Sequence, residues 1–344
     1  FQAEDGIRDS VASRGLGDVY KRQILWCFLV VVFPTGAQGQ TDDSLVPRLS
    51  NGRPDLQGIW DYRTMTPLER PVDLQGKSVF TDEEAAEFLR EALDNRNADR
   101  RDGTDRSAGI GSDVERAYND FWWDYGRTLT DDKRTSLIID PPDGRIPYTT
   151  EARLEESSRF DRFFAIVAAG PEDRGLWERC ITRDLPRLSG AYNNNFQLFQ
   201  TEEYVAILNE MVHEVRMIPL DKRSHVSEHI RQWQGNSVGH WDGDTLVVET
   251  RNFTDKTNFR GSRANLLLVE RFTRLDTDTL LYEFTVEDSS VWTREWTAAV
   301  PMVRNDGRMY EYACHEGNYG MVGILAGARA DEKMAAVETG AESR

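Results

Sequence analysis

The stretch Gly235–Pro301 constrains the fold more than any other part of the chain, and its sharpest signal is Val238–Thr250, VGHWDGDTLVVET. Trp241-Asp242-Gly243-Asp244 interrupts two runs of strand-forming residues, and a glycine at such a break supplies the positive φ that a tight hairpin needs. A second hairpin follows, Leu266–Leu275 and Thr279–Glu287 around the turn Asp276-Thr277-Asp278, and Thr293–Pro301 continues the meander. Leu280, Tyr282, Phe284 and Val286 alternate with Leu281, Glu283, Thr285 and Glu287. That period of two puts the first set in a core and the second mostly in water. The chain is therefore expected to be mainly β, an antiparallel meander. Sequence leaves open whether its edge strands meet to close a barrel or stay apart in a β-sandwich, the runner-up architecture.

Upstream, Thr81-Asp82-Glu83-Glu84 is a capping box, and Ala85, Phe88, Leu89, Ala92 and Leu93 follow at helical spacing, which predicts an amphipathic helix from 82 to about 98. Asp99–Asp113 is charged and aperiodic and reads as a loop. Tyr118–Trp123 is an aromatic cluster that either anchors its segment to the core or stacks on a ligand. Residues 71–133 are thus a helical and loop elaboration on the β domain. Leu137–Asp140, Phe196–Gln200, Tyr204–Leu208, Val212–Ile218 and Met309–Cys314 read as further strands, and residues 151 to about 168 as partly helical. A C-terminal helix is expected from Asn318 or Tyr319 to about Ala336. No fixed-period repeat supports a propeller or solenoid.

The ends bear on localisation. Residues 1–23 have no sensible periodicity and resemble translated sequencing-adapter read-through, so they are set aside. Lys21 and Arg22 then precede the apolar run Ile24–Phe33, and small residues follow up to Gly39. The run is too short for a membrane span and suits a signal-peptide core, so residues 24–39 are read as a secretory signal. Residues 40–344 form a single β domain on this reading, exported to the periplasm or secreted from a bacterial cell. The charges of residues 1–39 cancel, so the net charge of −17 belongs to the exported part. Such a surface repels phosphate backbones and anionic lipid, which argues against nucleic-acid and membrane-surface partners. Nothing after the signal could span a bilayer. Cys27 leaves with the signal; Cys180 and Cys314 are expected to form one disulfide, the alternative being two buried thiols.

Gly58-Ile59-Trp60 resembles the Gly-x-Trp at the first strand of lipocalin-like (calycin) barrels. That resemblance implies that the meander closes into a calycin-like barrel with Trp60 buried at its base, against late-strand residues such as Tyr310 or Tyr312. The segments PDLQGIW, TPLERP, YNDFWW, RTSLIIDPPDGRIP, GAYNNNFQ, HIRQWQGNSVGHWDGDTLVVETRNFTDKTNFRG and YEYACHEGNYG together resemble an uncharacterised family of exported environmental-bacterial proteins, acidobacterial and planctomycete in type. The resemblance covers nearly the whole exported chain and implies export and a single fold, but no reaction. Asn236 stands where those relatives often carry Asp.

The usual catalytic and nucleotide-binding signatures are absent from the sequence. What remains is polar residues on apolar strand faces: His213 beside Val215 and Met217, Glu270 beside Leu268 and Phe272, and Arg294 beside Trp292, Trp296, Ala298 and Val300. Burial without partners would cost several kcal/mol, so Glu270 and Arg294 are expected to pair inside the domain, with His213 beside them. The pair is either structural or the polar floor of a ligand cavity, in which Glu270 or His213 could serve as general base. Arg231, Trp233, Trp241, Tyr282 and Trp296 are the ligand-contact candidates. His225 and His229 stand four apart, as two metal ligands on one helical face would, although a turn-like segment surrounds them; no metal or other cofactor is predicted. Three functions compete: an exported binder of a small apolar or amphipathic molecule, a hydrolase or isomerase using His213, Glu270 and Arg294, and an envelope-associated structural or interaction module. The oligomeric state is left open.

Overall fold

Among the described residues ten strands form one antiparallel sheet: β1 (Gly58–Asp61), β2 (Ile138–Asp140), β3 (Asn195–Gln200), β4 (Tyr204–Asn209), β5 (Val215–Pro219), β6 (Asn236–Asp242), β7 (Thr245–Arg251), β8 (Leu267–Arg274), β9 (Thr279–Glu287) and β10 (Trp296–Asn305). The computed structural model describes residues 46–97, 99, 119–165, 168–183 and 185–342. The adapter and signal readings of residues 1–39, Tyr118 of the aromatic cluster and most of the loop at 99–113 lie outside them. The ladder runs β5-β4-β3-β1-β10-β9-β8-β7-β6, with β2 added beside β10. Two meanders, β3–β5 and β6–β10, are therefore joined by the first strand, which pairs with β3 on one side and β10 on the other.

The β6–β7 hairpin turns on Gly243, at φ +58°. The preceding segment straps this turn: Arg48 forms paired hydrogen bonds to the Asp244 carboxylate, and Arg53 donates to the Gly243 carbonyl. Alternation holds along the meander. Leu280, Tyr282, Phe284 and Val286 of β9 are all at most 1 % exposed, as are Leu268, Glu270 and Phe272 of β8. They face Phe196, Leu198, Val205, Ile207 and Ile218 from the other meander across one hydrophobic core.

Trp60 is fully buried in that core, and its indole N–H donates to the Leu56 carbonyl. The Arg274 guanidinium lies 5.2 Å over its ring and donates to the carbonyls of Asp55, Asp276 and Thr277. The expected packing against Tyr310 or Tyr312 is corrected, because Met309–Cys314 is irregular and the last strand, β10, ends at Asn305. There the Asn305 side chain donates to Asn195 and accepts from the Gly307 N–H, which turns the chain out of the sheet. Tyr310 is 74 % exposed.

The sheet also does not close into the expected barrel. No ladder joins β5 to β6, so the sheet keeps two edges. The described residues also form three α-helices: α1 (Asp82–Arg96), α2 (Thr150–Ala165) and α3 (Tyr319–Glu342). α1 starts on the expected capping box, with Glu84 N–H donating to the Thr81 hydroxyl and Thr81 N–H to the Glu84 carboxylate. A Cys180–Cys314 disulfide, Cα atoms 5.6 Å apart, ties the segment before α3 back to the chain ahead of β3. Among the described residues no helix is long and apolar enough to cross a membrane.

Candidate functional site

The open seam between β5 and β6 holds the candidate site. In antiparallel pairing alternate residues direct both main-chain groups to one neighbour. Asn209 N–H bonds to the Glu214 carbonyl and Leu220 N–H to the Glu203 carbonyl, so the residues in phase with 214 and 220 are committed to β4. Val215 and Met217 therefore turn their main-chain groups toward the seam. Near Gly239 the two edges touch: a Cβ there would lie 2.9 Å from Ile218 and Leu220 side-chain carbons. Farther along, a groove of about 650 Å³ separates Glu214–Met217 from Arg231–Ser237, with Ile181 at its side.

The far wall is a shaped loop. Gly235 sits at φ +65°, and a Cβ on it would fall 2.5 Å from the Arg251 carbonyl, so only glycine fits. Gln232 N–H bonds to the Asn252 carbonyl, and the Thr257 hydroxyl donates to the Trp233 carbonyl. These contacts hold Trp233 half-buried along the groove. Arg231 donates to the carbonyls of Ala264, at 2.7 Å, and Phe253; among the described residues its contacts are with carbonyl oxygens rather than carboxylates.

At the floor, Arg216 crosses the interior to Glu270, with Nη1 at 2.5 Å from Oε2 and Nη2 at 3.1 Å from Oε1. The Tyr282 hydroxyl donates to the same Oε1 at 2.9 Å. Burial disfavours the Arg216 charge, but the Glu270 carboxylate outweighs it and holds the Arg216 pKa above its ordinary value. Burial, reinforced by the Glu270 charge, pushes the Tyr282 hydroxyl well above the usual tyrosine range. Behind Glu214, Arg187 is 4 % exposed; its Nη2 donates to Glu214, while Nε and Nη1 have no partner among the described residues. Arg216 and Glu270 balance, as do Arg187 and Glu214, so Arg231 leaves the groove with a local positive excess.

The expected residues divide. Arg231 and Trp233 line the groove together, and Glu270 and Tyr282 form the support beneath it. The pairing of Glu270 with Arg294 is corrected. β10 begins only at Trp296, so Arg294 falls outside its alternation, lies exposed and pairs with Asp140. His213 is corrected likewise: it lies in a turn at 211–213 where Val212 takes φ 63°, and β5 starts at Val215. That turn reverses the expected faces, so Arg216 and Ile218 point inward while Val215 and Met217 are exposed. A linear reading misses Arg216 because its apolar neighbours mimic the inward set.

Trp241 lies at the far hairpin end under Arg53, 5.4 Å from its ring, and Trp296 is sealed in the core against Phe259, Phe284 and Trp292. Neither lines the groove. His225 and His229 lie in a non-helical segment. The His225 ring is held at both nitrogens, by Asn236 at 3.1 Å and Glu249 at 3.0 Å, and among the described residues no group of three or more His, Cys, Asp or Glu could hold a metal. Comparisons with protein families, with curated proteins and with solved structures found no match to this chain.

Proposed function

We propose that this chain is an exported binder of a small amphipathic molecule carrying an acidic group, taken up in the seam between β5 and β6. The carrying observation is the groove of about 650 Å³ lined by Trp233, Met217 and Val215 and bordered by Arg231. Ligand sites for small molecules run from about 300 to 1,000 Å³, with mostly apolar walls and a few placed polar groups. Trp233 and Met217 supply the apolar wall. The Arg231 guanidinium, which meets no carboxylate among the described residues of a chain of net charge −17, supplies the polar anchor for an anion. On this reading the sheet is a calycin-like barrel held ajar, and the seam is its mouth. Export to the periplasm or beyond rests on the apolar run Ile24–Phe33 and accords with the disulfide. A hydrolase or isomerase has less support, since Glu270 is committed to Arg216 and Tyr282 and lies beneath the groove.

The test uses 8-anilinonaphthalene-1-sulfonate, an amphipathic aromatic anion. Saturable single-site fluorescence enhancement is expected with the wild-type chain, weakened at least about tenfold by Arg231→Ala or Trp233→Ala, each about 1.4 kcal/mol or more. Both variants should keep the wild-type circular dichroism spectrum. Binding of equal strength in both variants would remove the seam as the site.

A further inference from the structure

A second cavity shares no lining residue with the seam. It measures about 340 Å³ and is walled by Trp122, Trp123, Tyr192, Asn193 and Tyr312. Three parts of the chain far apart in sequence build it, and each is pinned. Trp123 stacks on Tyr125 at 5.4 Å with planes 6° apart, and the Arg96 guanidinium of α1 covers the Tyr125 ring at 4.9 Å. Asp124 N–H donates to the Ala191 carbonyl, and the Asn194 amide donates back to the Asp124 carbonyl, which couples the tryptophan segment to the turn that carries Tyr192 and Asn193. The disulfide at Cys314 holds Tyr312 against Tyr192, ring centroids 6.3 Å apart.

The chemistry of this wall is narrow. Among the described residues it presents aromatic faces and an amide and no carboxylate, ammonium, guanidinium or imidazole, on a chain of net charge −17. Among the described residues the lining itself carries no counter-charge for a charged ligand. Asn193, at φ 56°, gives its carbonyl to the Tyr62 hydroxyl, and its side-chain amide makes no hydrogen bond among the described residues, leaving a donor and an acceptor for a ligand. The rings do not form a parallel clamp. Trp123 and Tyr192 are tilted by 50° and Tyr192 and Tyr312 by 34°, so they line a cup rather than a slot. A flat heteroaromatic ring stacks best in a slot; a puckered ring with C–H groups on one face and hydroxyls at its edge suits a cup of tilted π-faces with an amide at its border. Trp122, 59 % exposed, also lines the cup and offers a further aromatic surface.

We propose that this cup is a binding site for a neutral pyranose saccharide, with Trp122, Trp123 and Tyr192 stacking on the sugar faces and Asn193 pairing with a hydroxyl. The experiment is isothermal titration of the full chain with cellobiose, maltose and N,N′-diacetylchitobiose, run beside adenosine and indole. Binding of at least one disaccharide at millimolar or lower concentration is expected. Trp122→Ala, at an exposed position that does not threaten the fold, should weaken it about tenfold, and Asn193→Gly, which keeps the left-handed backbone and deletes the amide, should weaken it as well. Arg231→Ala should leave it unchanged, and anilinonaphthalene sulfonate in the seam should not compete, which separates failure of this site from failure of the seam. The proposal is overturned if none of the three disaccharides binds, if binding survives Trp122→Ala and Asn193→Gly unchanged, or if adenosine or indole binds and the sugars do not.

Discussion

Glu270 is 1 % exposed, and a carboxylate at that depth is tolerated because Arg216 and Tyr282 satisfy it. Removing one member should therefore cost more than removing all three. Glu270→Gln leaves the Arg216 charge buried without its counter-ion and is expected to destabilise by about 3–5 kcal/mol, whereas Glu270→Leu with Arg216→Met and Tyr282→Phe should fall close to the wild type. Urea denaturation of the two proteins decides it, and equal losses would mean that the cluster is not a coupled unit. The tyrosine adds a pH signature. Tyr282 and Tyr62 are both held neutral by burial, so the unfolded chain, with tyrosine at about 10, gives up its protons first. Their contribution is fully present below about pH 10 and is lost as pH rises above it. Tyr282→Phe should flatten the fall in urea midpoint between about pH 8 and pH 11; an unchanged slope would show that Tyr282 ionises as easily folded as unfolded. The sequence marked Glu270 as a polar residue on an apolar face. Its partner was hidden, because which strand curls over β8 depends on the turn at Val212.

At the scale of elements, local signals were legible and non-local ones were not. The capping box of α1, the hairpin at Gly243 and the alternation in β9 are written within a few residues each, and the structure has all three. The start of β10 at Trp296 and the end of the sheet at Asn305 depend on pairing with β1, β2 and β9, which no local pattern states. The groove shows the same division: Arg231 and Trp233 stand out by residue type, whereas β5 as the opposite wall emerges only from the strand order. The disulfide was legible from cysteine number and the apolar run Ile24–Phe33, and it spans a sequence separation of 134 residues. A loop of that length predicts a stabilisation of about 5 kcal/mol in the chain-entropy account. Cys180→Ser with Cys314→Ser is expected to lower the urea midpoint accordingly. It should also raise hydrogen exchange at the start of α3, where Asn318 bonds the Glu178 carbonyl. A double variant of wild-type stability would show that the surrounding contacts already hold the segment.

Among the described strands the sheet has two edges that approach each other without a ladder, and at one point side chains of β5 pack directly against β6. That point is Gly239, against which Ile218 and Leu220 lie so closely that a Cβ would approach both to 2.9 Å. Gly239→Val thus inserts bulk where no main-chain bond resists displacement, and the strain should be relieved by moving β5 from β6 rather than by disrupting the β6–β7 hairpin. Overpacking of this kind costs about 1–3 kcal/mol, which leaves the protein folded if its stability is ordinary, about 5–15 kcal/mol. The expected outcome is faster hydrogen exchange at the Val215 and Met217 amides, which face the seam, with exchange in β8 and β9 changed only by the global loss. Anilinonaphthalene sulfonate should bind more weakly, because Trp233 and Met217 no longer stand at the same separation across the groove. If Gly239→Val lowers stability yet leaves both seam exchange and dye affinity as they were, the groove does not depend on the contact between the edges. The binding surface would then belong to the Arg231–Ser237 loop alone.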